Sequence, residues 1–374
     1  MWENAMSRRT ALSAIAGAGM LAAGLSACGS ASESRGSSIG RRLGAEWESH
    51  ARTFMQWPAH ASWGEYLGEV REDIAGLAQA IAEYEPVVML AMTDQVTAAQ
   101  RACGDGVEVV PLAVEDLWAR DMIPTFIEQS GEIVGVDLNF NGWGNKQSHE
   151  IDSAIARNLL SRYGISRLSA PLVTEGGALE TDGEGTLLVT ESSIVNDNRN
   201  PGKSRDQLAA DLSQTLGVEQ VIWVEGVRGE DITDAHIDCL ARFVAPGVVL
   251  LDTPFPGTPA DSWSRSSDQA RPVLAEATDA RGRRLTVIDL PQPDPSRFTD
   301  MGDDFVSSYA NFYIANGAVF LPEFGDRRAD DQAKGILGEH FPDRDIVAVP
   351  IDVIASGGGG IHCSTHDQPG RPTA

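Results

Sequence analysis

One pattern recurs along the chain and restricts the folds open to it: two strands, an amphipathic helix, and a further strand. Val70, Ile74, Leu77 and Ile81 fall at helical spacing, and the apolar run from Pro86 to Leu90 reads as a buried strand. A second unit has Thr125–Ile127, Ile133–Val136 and a helix through Ile151, Ile155 and Leu159. A third has Thr186–Val189, a helix through Leu208 and Leu212, and Val221–Val224. A fourth has Leu240–Val244, Val248–Leu251, a helix near Gln269 to Ala280, and Leu285–Ile288. A fifth has Tyr309–Ile314, Ala318–Leu321, a helix near Asp330 to Glu339, and Ile346–Val349. The expected helices begin near residues 67, 149, 204, 266 and 330, with the first unit least clear. Five copies of one supersecondary unit predict a single α/β domain of repeat architecture. Loops after equivalent strands of such a ring converge on one site.

The N-terminal residues read differently. Arg8-Arg9 precedes an apolar run from Ala11 to Leu25, rich in Ala and Gly and too short to span a bilayer comfortably. The paired arginines resemble a twin-arginine export signal, and Leu25-Ser26-Ala27-Cys28 resembles a lipobox in which Cys28 carries the lipid. A Ser/Gly stretch follows, as expected of a tether. The expected division is an export signal over 1–27, a tether over 28–41, a catalytic domain over 42–368 and a tail over 369–374. The protein would then be exported and lipid-anchored on the outer face of the cytoplasmic membrane, its only membrane contact. The alternatives are cleavage without lipidation, or an interior helix; with the signal unused, the chain is cytoplasmic.

Charge bears on partners. The formal net charge of −25 argues against nucleic acid, whose phosphates need a basic face. It suits cations in acidic clefts. Four cysteines in 374 residues are too few for a disulfide framework.

Ionisable residues gather between the repeats: Glu115–Asp121, Val173–Gly177, Asp231–Asp238, and the run Ser356–His366 with its four consecutive glycines. Consecutive glycines belong where backbone turns sharply or approaches something closely. Cys363 therefore reads as a nucleophile at the end of a tight loop, with a flexible tail as the bland alternative. A thiol nucleophile needs a proton shuttle. His236, in a carboxylate-rich loop, is the best candidate, unless Asp234 or Asp238 merely satisfies it structurally. His362, as the immediate neighbour of Cys363, is poorly directed, and His366 remains open. Asp121 and Asp238 can flank one planar guanidinium, whose N–H fork matches paired carboxylates. Trp118 and Trp143 can wall its alkyl chain by cation–π contact. Two metal readings compete: His362 with Cys363 and His366, or Asp231 with Asp234, His236 and Asp238.

Several stretches resemble the agmatine deiminase and bacterial (Porphyromonas-type) peptidyl-arginine deiminase family. They are Trp118-Ala119-Arg120-Asp121, Glu175-Gly176-Gly177, Asp234–Asp238, Tyr309–Gly317 and Gly358–Cys363, with Asn139–Gly144 and Asn198–Pro201. The resemblance runs from about Arg42 to Gln368. It implies a five-unit pseudo-symmetric α/β-propeller of the pentein type. It also implies a hydrolase of linear amidines that needs no metal or organic cofactor. By position, Cys363 matches the nucleophile, His236 the acid/base, Asp121 and Asp238 the guanidinium-binding carboxylates, and Glu175 and Trp118 pocket positions. The implied reaction passes through a covalent cysteine thiouronium and converts agmatine and water to N-carbamoylputrescine and ammonia, a step of polyamine metabolism. Its alternatives are peptidyl-arginine deimination to citrulline and, in another class, a non-catalytic guanidine-binding lipoprotein. The chain departs from the family at Glu180, Ala119, Trp63-Gly64 and Ser364–Asp367.

Overall fold

The computed structural model describes residues 40–302 and 304–370. The expected export signal, Cys28 and all but the last two residues of the expected tether lie outside them. No helix among the described residues is long and apolar enough to cross a membrane.

The described residues form five separate small sheets, arranged as successive units. The second unit shows the common plan. Thr125–Gln129 pairs antiparallel with Glu132–Asp137. The chain then passes through the helix Ile155–Tyr163 to Ser166–Ser169, which pairs parallel. In the third unit Glu180–Thr181 and Thr186–Thr190 are antiparallel, and the helix Arg205–Leu216 leads to the parallel strand Gln220–Val224. The fourth uses Ala241–Ala245, Val248–Thr253, the helix Ser262–Glu276 and Thr286–Pro291. The fifth uses Tyr313–Ala315, Ala318–Glu323, the helix Arg327–His340 and Asp345–Pro350.

The first unit departs from the expected order. His50–Gln56 is followed by the helix Leu67–Ala82, Val87–Ala91, the helix Val96–Cys103 and Val107–Pro111, all three strands parallel. Its antiparallel strand comes from the other end of the sequence, His366–Pro369. The expected boundary after residue 368 therefore falls inside a strand. This pairing joins the two ends of the domain and closes the series.

Local chemistry sets the helix ends. Ser204 and Gln207 form a reciprocal capping box before Arg205–Leu216, and Gly217 ends that helix in the left-handed conformation. Asp261 and Ser264 do the same for Ser262–Glu276. Each helix buries one stripe against its sheet. On Leu67–Ala82 the stripe Val70, Ile74, Leu77 and Ile81 has zero exposure, as their spacing predicted. Burial of each is worth about 1.5–3 kcal/mol.

Between the units lies a buried ionic hub. Glu46 accepts from Arg120 Nη2 at 2.6 Å, from Arg242 Nη2 at 2.9 Å and from the Ile314 backbone N–H at 3.0 Å, and lies 3.0 Å from His362 Nε2. Arg242, with zero exposure, also donates to Glu180 and to the carbonyls of Ala310 and Phe312. Elements from several units are thereby tied to one carboxylate. Removing a single partner strands a buried charge, at a cost of about 3–5 kcal/mol. Glu180 belongs to this hub through its contact with Arg242.

Candidate active site

A cavity of about 570 Å³ opens beside the glycine-rich run. Cys363, Trp118, Trp143 and Asp121 line it, together with Trp63. The glycines explain the close packing. A side-chain carbon on Gly357 would collide with the Trp63 ring, one on Gly359 with the Trp118 ring, and one on Gly360 with Asn311 Oδ1. Gly358 has φ +91°, which favours glycine. The loop is then pinned: Cys363 N donates to Asn311 Oδ1 at 3.2 Å, and Arg120 N donates to the Cys363 carbonyl at 3.0 Å.

Asp121, His236 and Asp238 meet around a second glycine. A methyl on Gly177 would sit 2.6 Å from His236 Nδ1, 2.9 Å from Asp121 Oδ1 and 3.0 Å from Asp238 Oδ2. The Gly177 N–H donates to Asp121 Oδ1 at 2.9 Å, and Trp143 Nε1 donates to Asp121 Oδ2 at 2.8 Å. Cys363 Sγ lies 3.6 Å from Asp238 Oδ2. Asp238 Oδ2 is also 2.8 Å from His362 Nδ1, whereas its buried Oδ1 has no partner among the described residues.

His236 is held by carboxylates, though not those of its own loop. Nε2 is 3.2 Å from Glu175 Oε2, and Nδ1 is 3.7 Å from Asp121 Oδ2. Glu175 in turn takes Arg199 Nε at 2.8 Å. Asp234 faces elsewhere, bound to Arg199 and Lys146 at 2.8 Å each. Glu175 thus stands behind His236 and does not line the cavity.

These contacts set the protonation states. Burial opposes charge on His236, but Asp121, Glu175 and Asp238 outweigh it and raise its pKa to about 9. Burial likewise works against ionised Asp238, yet the His362 hydrogen bond and nearby cations pull it down to about 2. A contact with Cys239 lowers the Cys363 thiol, but burial with the Asp238 and Asp121 charges leaves it above its ordinary value. Burial holds Asp121 above the usual carboxylate range, with Glu175 and Asp238 adding to it.

The remaining expectations sort cleanly. His362 and His366 do not serve Cys363 together. His366 faces Phe126, at 6.0 Å between ring centres, and burial drives its pKa to about 3. It lines a separate cavity of about 60 Å³ beside the ionic hub. The alternative acidic cluster is broken up by the Asp234 ion pairs. Nothing in the sequence pattern assigns a role to Asn311, Gly177, Cys239 or Glu46. In the sequence, Asn311 stands only within the Tyr309–Gly317 run and Gly177 only within Glu175-Gly176-Gly177, and Glu46 carries no local signal at all.

Among the described residues, six carboxylates line the main cavity: Glu69, Asp116, Asp121, Asp300, Asp304 and Asp352. Among the described lining residues there is no Lys, Arg or His. Arg199 is buried behind Glu175, and Lys146 is engaged by Asp234.

The arrangement matches known proteins along its length. The sequence model of the Porphyromonas-type peptidyl-arginine deiminase family matches residues 42–369. The agmatine deiminase of Stutzerimonas stutzeri is 38% identical over 363 residues, covering 88% of this chain and 96% of its own. That of Medicago truncatula is 34% identical, with the same coverage. A solved agmatine deiminase of Enterococcus faecalis superposes with a TM-score of 0.81 at 29% identity, covering 89% of this chain and 96% of its own. The five-unit α/β-propeller expected from the sequence agrees with that likeness. The chain belongs to the Porphyromonas-type peptidyl-arginine deiminase family and is a hydrolase of guanidino carbon–nitrogen bonds.

Proposed function

We propose that the chain hydrolyses agmatine to N-carbamoylputrescine and ammonia, with Cys363 as nucleophile. The observation that carries this reading is the buried Asp238 carboxylate: its Oδ2 lies 3.6 Å from the Cys363 sulfur, and its Oδ1 has no partner among the described residues. A buried carboxylate oxygen without a donor costs free energy, and a guanidinium N–H supplies one. Asp121, around the same glycine, offers the second carboxylate for the fork.

The chemistry follows from the charges. In the free protein the thiol is protonated and His236 cationic. A guanidinium between Asp121 and Asp238 neutralises the charges that raise the thiol pKa, so thiolate forms as the cation enters. Sγ attacks the guanidinium carbon. His236 gives its proton to the departing ammonia, leaving a thiouronium. It then takes a proton from water, which attacks the same carbon and releases the ureido product and the thiol. Glu175 orients the imidazole, and prepaid orientation supplies much of the rate.

The cavity supports agmatine over arginine. Its acidic lining suits a distal ammonium and offers no cation to a carboxylate. Ammonia release from agmatine, arginine and a peptide ending in arginine, measured in parallel, tests this. We expect agmatine to be preferred at least about tenfold in kcat/KM, or about 1.4 kcal/mol. Equal turnover of the peptide would move the chain to peptidyl-arginine deimination; binding of agmatine without turnover would make it a binding protein.

The paired arginines and the Leu25–Cys28 run also support export with a lipid anchor on Cys28. Mass spectrometry of the native protein should find acyl chains there; an unmodified N-terminus at Met1 or Met6 rejects it.

A further inference from the structure

A second thiol lies beside the nucleophile. Asn311 Nδ2 donates to Cys239 Sγ at 3.2 Å and to Cys363 Sγ at 3.1 Å. The two sulfurs and a carboxylate oxygen of Asp238 all lie within 4.8 Å of one another. Cys239 ends the short turn Ile237–Cys239, immediately after Asp238, while Cys363 ends the glycine-rich run. Both residues are half-buried free thiols, and Cys363 lines the open cavity, within reach of a small dissolved oxidant. Deimination as derived above gives this second sulfur no bond-making step.

The spacing permits a bond. A disulfide needs sulfurs about 2.05 Å apart, so the pair has at most about 2.8 Å to close, within the swing of a cysteine between rotamers. Neither sulfur is fixed by more than weak contacts to Asn311 and Asp238.

We propose that Cys239 is a resolving thiol that makes oxidation of Cys363 reversible, the oxidant being a hydroperoxide. The Cys363 thiolate attacks the peroxide: a sulfur–oxygen bond forms, the oxygen–oxygen bond breaks, and the released alkoxide or hydroxide takes up a proton. Cys239 sulfur then attacks the sulfenic sulfur. The sulfur–sulfur bond forms, the sulfur–oxygen bond breaks, and oxygen leaves as water with the Cys239 proton. In sum, two thiols are oxidised to a disulfide and the peroxide is reduced to water and an alcohol, or to two waters for hydrogen peroxide. The disulfide closes the site and protects Cys363 from the irreversible sulfinic and sulfonic states. A dithiol reopens it by exchange.

The switching role rests on Cys363 being the nucleophile; formation of the bond does not. The test uses the full-length protein with limiting hydrogen peroxide and no substrate, at a pH above the pKa of an ordinary thiol so that Cys363 thiolate is present. Free thiols are then blocked, peptides are mapped without reduction, and activity is read before and after dithiothreitol. Wild type should show a Cys239–Cys363 cross-link, lose activity by more than about tenfold, and regain most of it with dithiothreitol. Cys239→Ala, normalised to its own untreated activity, should lose activity without recovering, with Cys363 carried to sulfinic acid. Cys103→Ala should behave as wild type. Absence of the wild-type cross-link, or equal recovery in Cys239→Ala, would overturn the proposal and leave the nucleophile assignment standing. The peptide map of wild type decides this even if Cys239→Ala folds poorly. A cross-link that forms without loss of turnover would instead overturn the nucleophile assignment, and the switch with it.

Discussion

His362 turns away from the sulfur of its neighbour Cys363 and binds Asp238, Nδ1 to Oδ2 at 2.8 Å, while its Nε2 reaches Glu46 at 3.0 Å. Asp238 Oδ2 is thus fixed 3.6 Å from the Cys363 sulfur, and Oδ1 has no partner among the described residues. The histidine acts through the carboxylate as a positioning residue. His362→Gln should lower kcat/KM by roughly 10–100-fold. It should also move the acid limb of the pH–rate profile upward, because the contact that holds Asp238 near 2 is lost. A variant with reduced rate but an unmoved acid limb would reject the positioning role.

The Cys363 thiol is held above its ordinary pKa by burial and by the Asp238 and Asp121 charges, against the lowering contact from Cys239. Alkylation of the free enzyme by iodoacetamide should therefore be slow at neutral pH and still climb as pH rises past that of an ordinary thiol. Asp238→Asn removes one opposing charge, so its alkylation profile should shift to lower pH. A profile unchanged by Asp238→Asn would show that this charge does not govern the thiol.

Two buried histidines couple stability to pH. Burial disfavours charge on both, yet carboxylates around His236 and around His50 raise each to about 9. Both pKa values lie above the ordinary 6.5, so the native state binds protons more tightly than the unfolded chain. Their contribution is complete below about pH 6.5 and disappears as pH rises through about 9. Thermal denaturation should show Tm falling across that window, by an amount on the order of a few kcal/mol in stability. His50→Gln should flatten the slope, and a Tm that rises from pH 6.5 to 9 would contradict the assignment.

Gly177 is required for space, not for backbone freedom. A methyl there would press on His236, Asp121 and Asp238 together. Gly177→Ala should reduce kcat/KM by at least about 100-fold, the scale of an ångström misplacement in a site. Circular dichroism and Tm should stay near wild type, because the backbone at this position suits any residue. Full activity in the variant would mean that the three side chains have more room than their distances indicate.

What the sequence determined by itself follows from periodicity, which is a local property. The apolar stripes of the helices repeat every three or four residues, so Val70 to Ile81 or Leu208 and Leu212 announce their buried faces without reference to any partner. The glycine-rich run beside Cys363 was legible for the same reason, since close approach leaves a compositional mark. Tertiary structure alone decided which distant groups meet. His366–Pro369 has no alternating apolar pattern, and its pairing with His50–Gln56 spans nearly the whole domain. His236 has acidic residues on both sides of it in sequence, yet its partners are Glu175 and Asp121, because Arg199 and Lys146 hold Asp234 elsewhere. Competition among 54 acidic residues for a few buried cations is settled by where the backbone carries each one, and no short window of sequence records that. The nearness of Cys239 to Cys363 has the same origin: two loops far apart in the chain are brought to one amide, that of Asn311.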